Sequence, residues 1–445
     1  MKTINKKIFS ISFLLLANVF SGIAQDKTWT LNDCINYALS KNIQVQQASL
    51  SDQRNQLYTD QAKAAKLPSL NASVQQNFNW NKGLDSQTND YGSLDGSNST
   101  SYSLNSSVSL FNGMKIKNEI KQSELNLQSS QYYSETVKES VELSILNAFL
   151  QVLYAQESVT NAEKQIEATK EQLALAKERL ELSVISQSDY LQIKSELASE
   201  KLTFANAKSQ LAIARVSLMQ LMELPVDNNF ALVSPNMGEM LNQNRQPNAE
   251  EVYIQALAIK PQIKQAELNK QSALLDEKIA KADLFPSLSL NAGLGTSYSS
   301  LSNGFNYSNQ LKNQISPSVG LSLSIPIFQK KQVKTNIGLA KINFTDAELE
   351  EINTKNQLRK EIEQATVDIF SAQLEYEASL EQYQATEESN QVANEKFDIG
   401  LLNSVDYLFE RTNLITSESN LLQSKYKLIF SYKILDFYKG IPLTL

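Results

Sequence analysis

The chain has no histidine and a single cysteine among its 445 residues. The first absence removes the commonest general base and the commonest neutral metal ligand. The second excludes an intrachain disulfide and any zinc site built on several thiolates. Carboxylates are the chief acid–base groups left, and no pair of them is set into a recognisable cleft. Neither an enzyme nor a bound cofactor is expected. Past the N-terminus no run of 18 apolar residues occurs, so a membrane crossing would have to use strands. The formal net charge of −7 argues against nucleic acid as a partner.

The first 24 residues read as a signal peptide. Lys2, Lys6 and Lys7 form a basic start, residues 8–20 are mostly apolar, and Gly22-Ile23-Ala24 supplies the small residues a signal peptidase reads. Cys34 lies well past that cut and shares an apolar stripe with Leu31 and Ala38, as a buried small residue would.

The mature chain is one unit written twice. Residues 38–70 align without gaps on 256–288, with 14 of 33 positions identical, among them Ala62-Lys63-Ala64 with Ala280-Lys281-Ala282 and Pro68-Ser69-Leu70 with Pro286-Ser287-Leu288. Near the other end Asp189-Tyr190-Leu191 pairs with Asp406-Tyr407-Leu408, and the offset barely changes. The expected organisation is a first repeat over 25–225, a linker over 226–248 and a second repeat over 249–445. Each repeat opens with one helix (31–66, 249–284) that stops before Pro68 or Pro286. A strand pair follows (69–112, 286–328), then a long helical hairpin (114–224, 331–439).

Period-two alternation marks the strands. Leu70, Ala72, Val74, Phe78 and Trp80 share a face, as do Tyr102, Leu104, Val108 and Leu110. In the second repeat Leu288, Leu290, Ala292 and Leu294 are matched by Val319, Leu321, Leu323, Ile325 and Ile327. The opposite faces are small and uncharged. A soluble sandwich would satisfy this pattern. A lipid-facing barrel with a wet lumen fits better, because the strands run about 10–14 residues and aromatics gather toward their ends. The polar stretches 81–100 and 299–313 are expected as outer loops. Four strands cannot close a barrel, since about eight is the practical minimum, and open edges are not tolerated in lipid. Three chains would supply twelve.

Residues 114–183 contain neither proline nor glycine. A helix of roughly 70 residues spans about 105 Å, and apolar residues recur at coiled-coil spacing: Leu143, Leu146, Leu150 and Leu153, then Ile352, Leu358, Ile362, Ala365 and Ile369.

This order of elements, together with Trp29-Thr30-Leu31-Asn32-Asp33-Cys34, Leu67-Pro68-Ser69-Leu70, Phe285-Pro286-Ser287-Leu288, Leu110-Phe111-Asn112-Gly113 and Ile325-Pro326-Ile327-Phe328, resembles the TolC family of outer-membrane efflux proteins. The resemblance covers nearly the whole mature chain. It implies an α+β membrane protein that forms a homotrimer, with a twelve-stranded β-barrel (four strands per chain) in outer-membrane lipid continuous with a twelve-helix periplasmic α-barrel. It also implies an exit duct of a tripartite efflux or type I secretion system. Such a duct conducts small molecules or polypeptides passively and couples to a periplasmic adaptor (membrane fusion protein) and an inner-membrane pump. The residues alone leave a periplasmic coiled-coil adaptor or scaffold as the alternative.

The same resemblance implies roles for the hairpin tips. Ser183, Val184 and Ile185 match one adaptor-contact turn, and Gly400, Leu401 and Leu402 the other, with Ser183 where a glycine is usual. Asp406 falls on a constricting aspartate of the family, Asp189 is its repeat mate, and Phe409 stands where some members carry a second aspartate. An entrance closed by one acidic ring and one apolar ring would gate partly by dewetting. Helix capping accounts for both aspartates equally well. The glycine favours the second hairpin as the one that moves.

Overall fold

The computed structural model describes residues 28–445 apart from 85, 86, 88, 228, 236, 237, 242–246 and 303–305. The expected signal peptide lies outside the described residues. Two compact units emerge, and neither coincides with a repeat. One takes residues up to 47 with 136–260 and 358–445, the other takes 48–135 with 261–357. Each repeat contributes to both.

The unit made of 48–135 and 261–357 holds one four-stranded antiparallel sheet. Its strands are β2 (Ser69–Leu84), β3 (Tyr91–Asn112), β5 (Ser287–Ser299) and β6 (Ser316–Ser324), in the order β2-β3-β5-β6. The two repeats meet at β3 and β5, which leaves β2 and β6 as open edges within the chain. The alternation of the sequence survives in the register. Ala72 faces Leu104, which faces Leu294, and Leu288 faces Leu323. Leu70, Val74, Phe78, Trp80, Val319, Leu321 and Leu323 are all exposed. On the polar face the hydroxyls of Ser73 and Ser103 meet at 2.7 Å.

Four expectations for the strands and their loops change. Most of 81–100 is not loop, because β2 and β3 run on to pair Leu84 with Tyr91. The stretch 299–313 contains a short helix, α8 (Tyr307–Asn313), capped by Asn306. A bulge between Ser109 and Phe111 shifts the phase, so Phe111 rather than Leu110 stands opposite Leu288. Ile325 and Ile327 lie past the end of β6.

In the same unit the sheet is joined to α2 (Ile43–Ala64), α7 (Pro261–Ala282) and parts of two 67-residue helices, α3 (Lys115–Glu181) and α9 (Gln332–Asp398). The seams between these helices are polar. Ser129 Oγ donates to Asn269 Oδ1 at 2.6 Å, Ser272 Oγ to Asn126 Oδ1 at 2.7 Å and Ser134 Oγ to Asp52 Oδ2 at 2.7 Å, while Lys270 and Lys355 both pair with Glu351. Those two ammonium groups hold the Glu351 carboxyl below the usual range. Ile352, expected on the buried stripe, is exposed.

The other unit has the apolar core. Leu146, Leu150, Leu153, Leu358, Ile362, Ala365 and Ile369 are buried, as is Cys34. It contains a two-residue parallel pairing of β1 (Thr28–Trp29) with β4 (Ala231–Leu232), where Trp29 packs edge-on against Tyr37. Its helices are α1 (Leu31–Lys41), the short α5 (Gly238–Leu241), α6 (Ala249–Ile259), the remainder of α3 and α9, and the return helices α4 (Gln187–Leu221) and α10 (Ser404–Tyr438).

The opening helix of each repeat is broken, not single. The breaks fall at the repeat mates Asn42 (ψ 132°) and Lys260 (ψ 126°). Pro261 disfavours helical backbone at the residue before it. Asn42 makes its own break, donating to Leu221 O at 3.0 Å and accepting from the Gln44 amide at 2.9 Å. Lys260 is 2% exposed, 3.2 Å from Glu139 and 3.2 Å from the centre of the Phe437 ring. Burial pulls its ammonium pKa down, against the opposing pull of Glu139.

Candidate functional site at the helical tips

The two hairpin tips close in the same way. After α3, Ser183 takes a left-handed conformation (φ 59°). Its amide donates to Leu180 O at 2.9 Å, and that of Val184 to Arg179 O at 2.8 Å. After α9, Gly400 (φ 76°) repeats the turn, with its amide on Phe397 O at 3.1 Å and that of Leu401 on Lys396 O at 2.8 Å. This paired closure satisfies the last carbonyls of a helix. A side chain in that region costs on the order of 1 kcal/mol, and glycine avoids the cost. Ser183, Val184, Gly400 and Leu401 are exposed. Ile185 and Leu402 turn inward onto a small core of Ala176, Ile193, Phe397 and Tyr407. The six expected contact residues thus divide into four at the surface and two that support them.

Both candidate aspartates are capping residues. Ser186 precedes α4, and its hydroxyl accepts from the Asp189 amide at 3.1 Å while donating to Asp189 Oδ2 at 2.7 Å. The same Oδ2 accepts from the Ser186 amide at 3.1 Å. This is a capping box. Asn403 does the corresponding work before α10, accepting from the Asp406 amide at 2.9 Å and donating to Asp406 Oδ2 at 2.8 Å.

The repeat mates then diverge. Asp189 is half-buried, and its second oxygen accepts from the hydroxyl of Ser404, the first residue of α10. Gln192 Oε1 is also within reach of that hydroxyl, whose single proton serves one acceptor at a time. Ser404 first and Ser186 second hold the Asp189 carboxyl below the usual carboxylate range. Asp406 is exposed and bonds within its own cap. Phe409 is exposed as well. Asp189 therefore ties one hairpin to the other, while Asp406 and Phe409 remain on an open face.

The tie extends up the helices through residues the sequence reading did not single out. Ser404, Tyr407 and Arg411 recur at spacings of three and four, which puts them on one helical face. Tyr407 stacks on Phe397 at 4.6 Å, and its hydroxyl donates to Gln172. Burial raises the pKa of that hydroxyl. Arg411 lies 3.0 Å from Glu200 Oε1 and also donates to Thr169 Oγ1 at 2.6 Å and Gln165 O at 3.1 Å. At the turn, Arg179 donates to Asp398 O at 2.9 Å and pairs with its carboxylate at 3.2 Å. The available sequence signal was the spacing of Tyr407 and Arg411, polar-ended residues on the face opposite Phe409.

A family model described as outer membrane efflux protein matches residues 34–223 and 252–438, one segment in each repeat. Among solved structures, the outer membrane channel CmeC of Campylobacter jejuni superposes with a TM-score of 0.77. It is 20% identical, and the match covers 92% of this chain and 85% of that one. The open state of the MtrE outer membrane channel of Neisseria gonorrhoeae gives 0.74 at 18% identity, over 93% and 91%. An uncharacterized protein of Haemophilus influenzae is 20% identical over 405 residues, 90% of this chain and 84% of its own length. The structural likeness carries the fold. With its model matched across most of both repeats, the chain belongs to the outer membrane efflux protein family.

Proposed function

We propose that the chain is the outer-membrane exit duct of a tripartite efflux or type I secretion system. It works as a homotrimer with a twelve-stranded barrel in lipid and its helices in the periplasm. It conducts small molecules or polypeptides passively from a pump and its periplasmic adaptor. The observation that carries this reading is the four-stranded sheet with an exposed apolar face and unpaired edges at β2 and β6. Such a sheet is unsatisfied in water and in lipid until other copies close it.

The gate in this proposal lies at the hairpin tips. Asp406 and Phe409 form an acidic and an apolar constriction, Asp189 acts from behind by holding the hairpins together, and the exposed turn residues Ser183, Val184, Gly400 and Leu401 meet the adaptor. Ile185 and Leu402 shape those turns from beneath. Opening separates the second hairpin from the first, which must break the Ser404 and Tyr407 bonds. Fractionation of expressing cells tests the assignment. A heat-modifiable trimer in the outer-membrane fraction is expected, and a soluble periplasmic monomer would contradict it.

A further inference from the structure

The turn that leads from β6 into α9 is unlike its repeat mate. In the first repeat the chain passes from β3 to α3 through Gly113 (φ 65°) and Met114 (φ 67°), two consecutive left-handed residues. The second repeat makes the same turn with Lys330 (φ 48°) and Lys331 (φ 64°). Two lysines are kept in a conformation that disfavours any side chain.

Nor do these lysines serve the helix. Lys331 stands at the cap of α9, where its carbonyl accepts from the Thr335 amide at 2.9 Å, a position that favours Ser, Thr, Asp or Asn. Lys334 follows in the first turn, which contains no acidic residue. Cations there oppose the helix dipole. Among the described residues no ion pair engages Lys330, Lys331 or Lys334. Just before them Ile327 is 95% exposed and Phe328 81%. The adjoining strands β5 and β6 carry no charge at all. An uncharged strand, two bare apolar side chains and then three free cations is the layering of acyl chains under phosphate.

We propose that the turn 327–334 binds the headgroup of an anionic phospholipid in the periplasm-facing leaflet. Ile327 and Phe328 lie among the acyl chains, and Lys330, Lys331 and Lys334 meet the phosphate. The proposal rests on the outer-membrane assignment above. Strain and an unfavourable dipole are retained because lipid phosphate compensates for both, and the site fixes the depth at which strand becomes helix.

The test uses the full mature chain, purified in detergent and examined by native mass spectrometry. Dioleoylphosphatidylglycerol or dioleoylphosphatidylcholine is added as probe. The wild type should retain the phosphatidylglycerol roughly 30- to 150-fold better, as two or three interfacial lysines at about 1 kcal/mol each provide. The variant K330Q/K331Q should lose most of that preference. So should K330G/K331N, whose melting temperature should hold or rise because glycine and asparagine relieve the turn; this separates a binding loss from a folding loss. Equal retention of the two lipids, or an unchanged preference in both variants, overturns the proposal. Displacement of the lipid by 20 mM inorganic phosphate would reduce the site to a plain anion site and overturns it too. Dissociation of the oligomer without change in lipid per protomer would assign the patch to a neighbouring copy instead. Failure of the outer-membrane assignment shows separately, as recovery of the chain in the soluble fraction.

Discussion

Arg411 and Glu200 join the second helical hairpin to the first through a buried ion pair 3.0 Å long, and the other carboxylate oxygen of Glu200 is buried with no hydrogen-bond partner among the described residues. Attraction between buried charges offsets their desolvation only while both are present. Arg411→Met should therefore destabilise the protein by about 3–5 kcal/mol. Arg411→Met with Glu200→Met should recover most of that loss. Urea midpoints of the detergent-solubilised protein, followed by far-ultraviolet circular dichroism, measure both. A silent single variant would mean that the pair does not hold the hairpins together.

Asp189 gives the tip a defined acid limit. Its folded pKa lies below the unfolded value, near 3.9. The ionised carboxylate thus contributes stability that is complete above about pH 5 and is lost as pH falls through the folded value. Hydrogen exchange at the Ser186 amide, corrected for its intrinsic pH dependence, should show constant protection from pH 8 to about pH 5 and loss only below about pH 4. Asp189→Asn should loosen the tip at neutral pH by roughly 1 kcal/mol, as loss of a cap does. A protection loss centred near pH 6 would contradict this assignment.

The two turns differ in strain and not in shape. Ser183→Gly should stabilise the first tip by about 0.5–1 kcal/mol, and Gly400→Ala should destabilise the second by about 1 kcal/mol. A Cβ at Gly400 would meet nothing within 4 Å, so the cost there is purely one of backbone. Melting temperatures of the two variants should move in opposite directions. Movement in the same direction would mean that the turns are not equivalent.

The duplication, the strand alternation and the tip turns were legible because each follows from a short-range rule: periodicity, proline placement, or a cap three residues from its partner. Asp189 and Asp406 illustrate where such rules stop. Both read as caps and both are caps, but the bond from Ser404 to Asp189 spans 215 positions and follows from no local pattern. Both opening helices were expected unbroken; Pro261 accounts for the break at Lys260, whereas the one at Asn42 involves a distant carbonyl, Leu221 O. The bulge at Leu110 and the continued pairing of Leu84 with Tyr91 are sheet-level events. Polar residues there suggested a loop because a strand without an apolar core lacks the usual signal. The adaptor alternative accounted for the hairpins but not for a sheet with two open edges.

Single-channel current in planar bilayers is the direct readout of a conducting duct proposed to narrow at the second tip. The purified wild type should give small, discrete, long-lived conductance steps. Asp406→Ala and Phe409→Ala should each enlarge those steps severalfold without altering the trimer. Unchanged conductance in Asp406→Ala with a lower melting temperature would confine that residue to its capping role. A folded, membrane-inserted protein that never conducts, as wild type or in either variant, would overturn the exit duct.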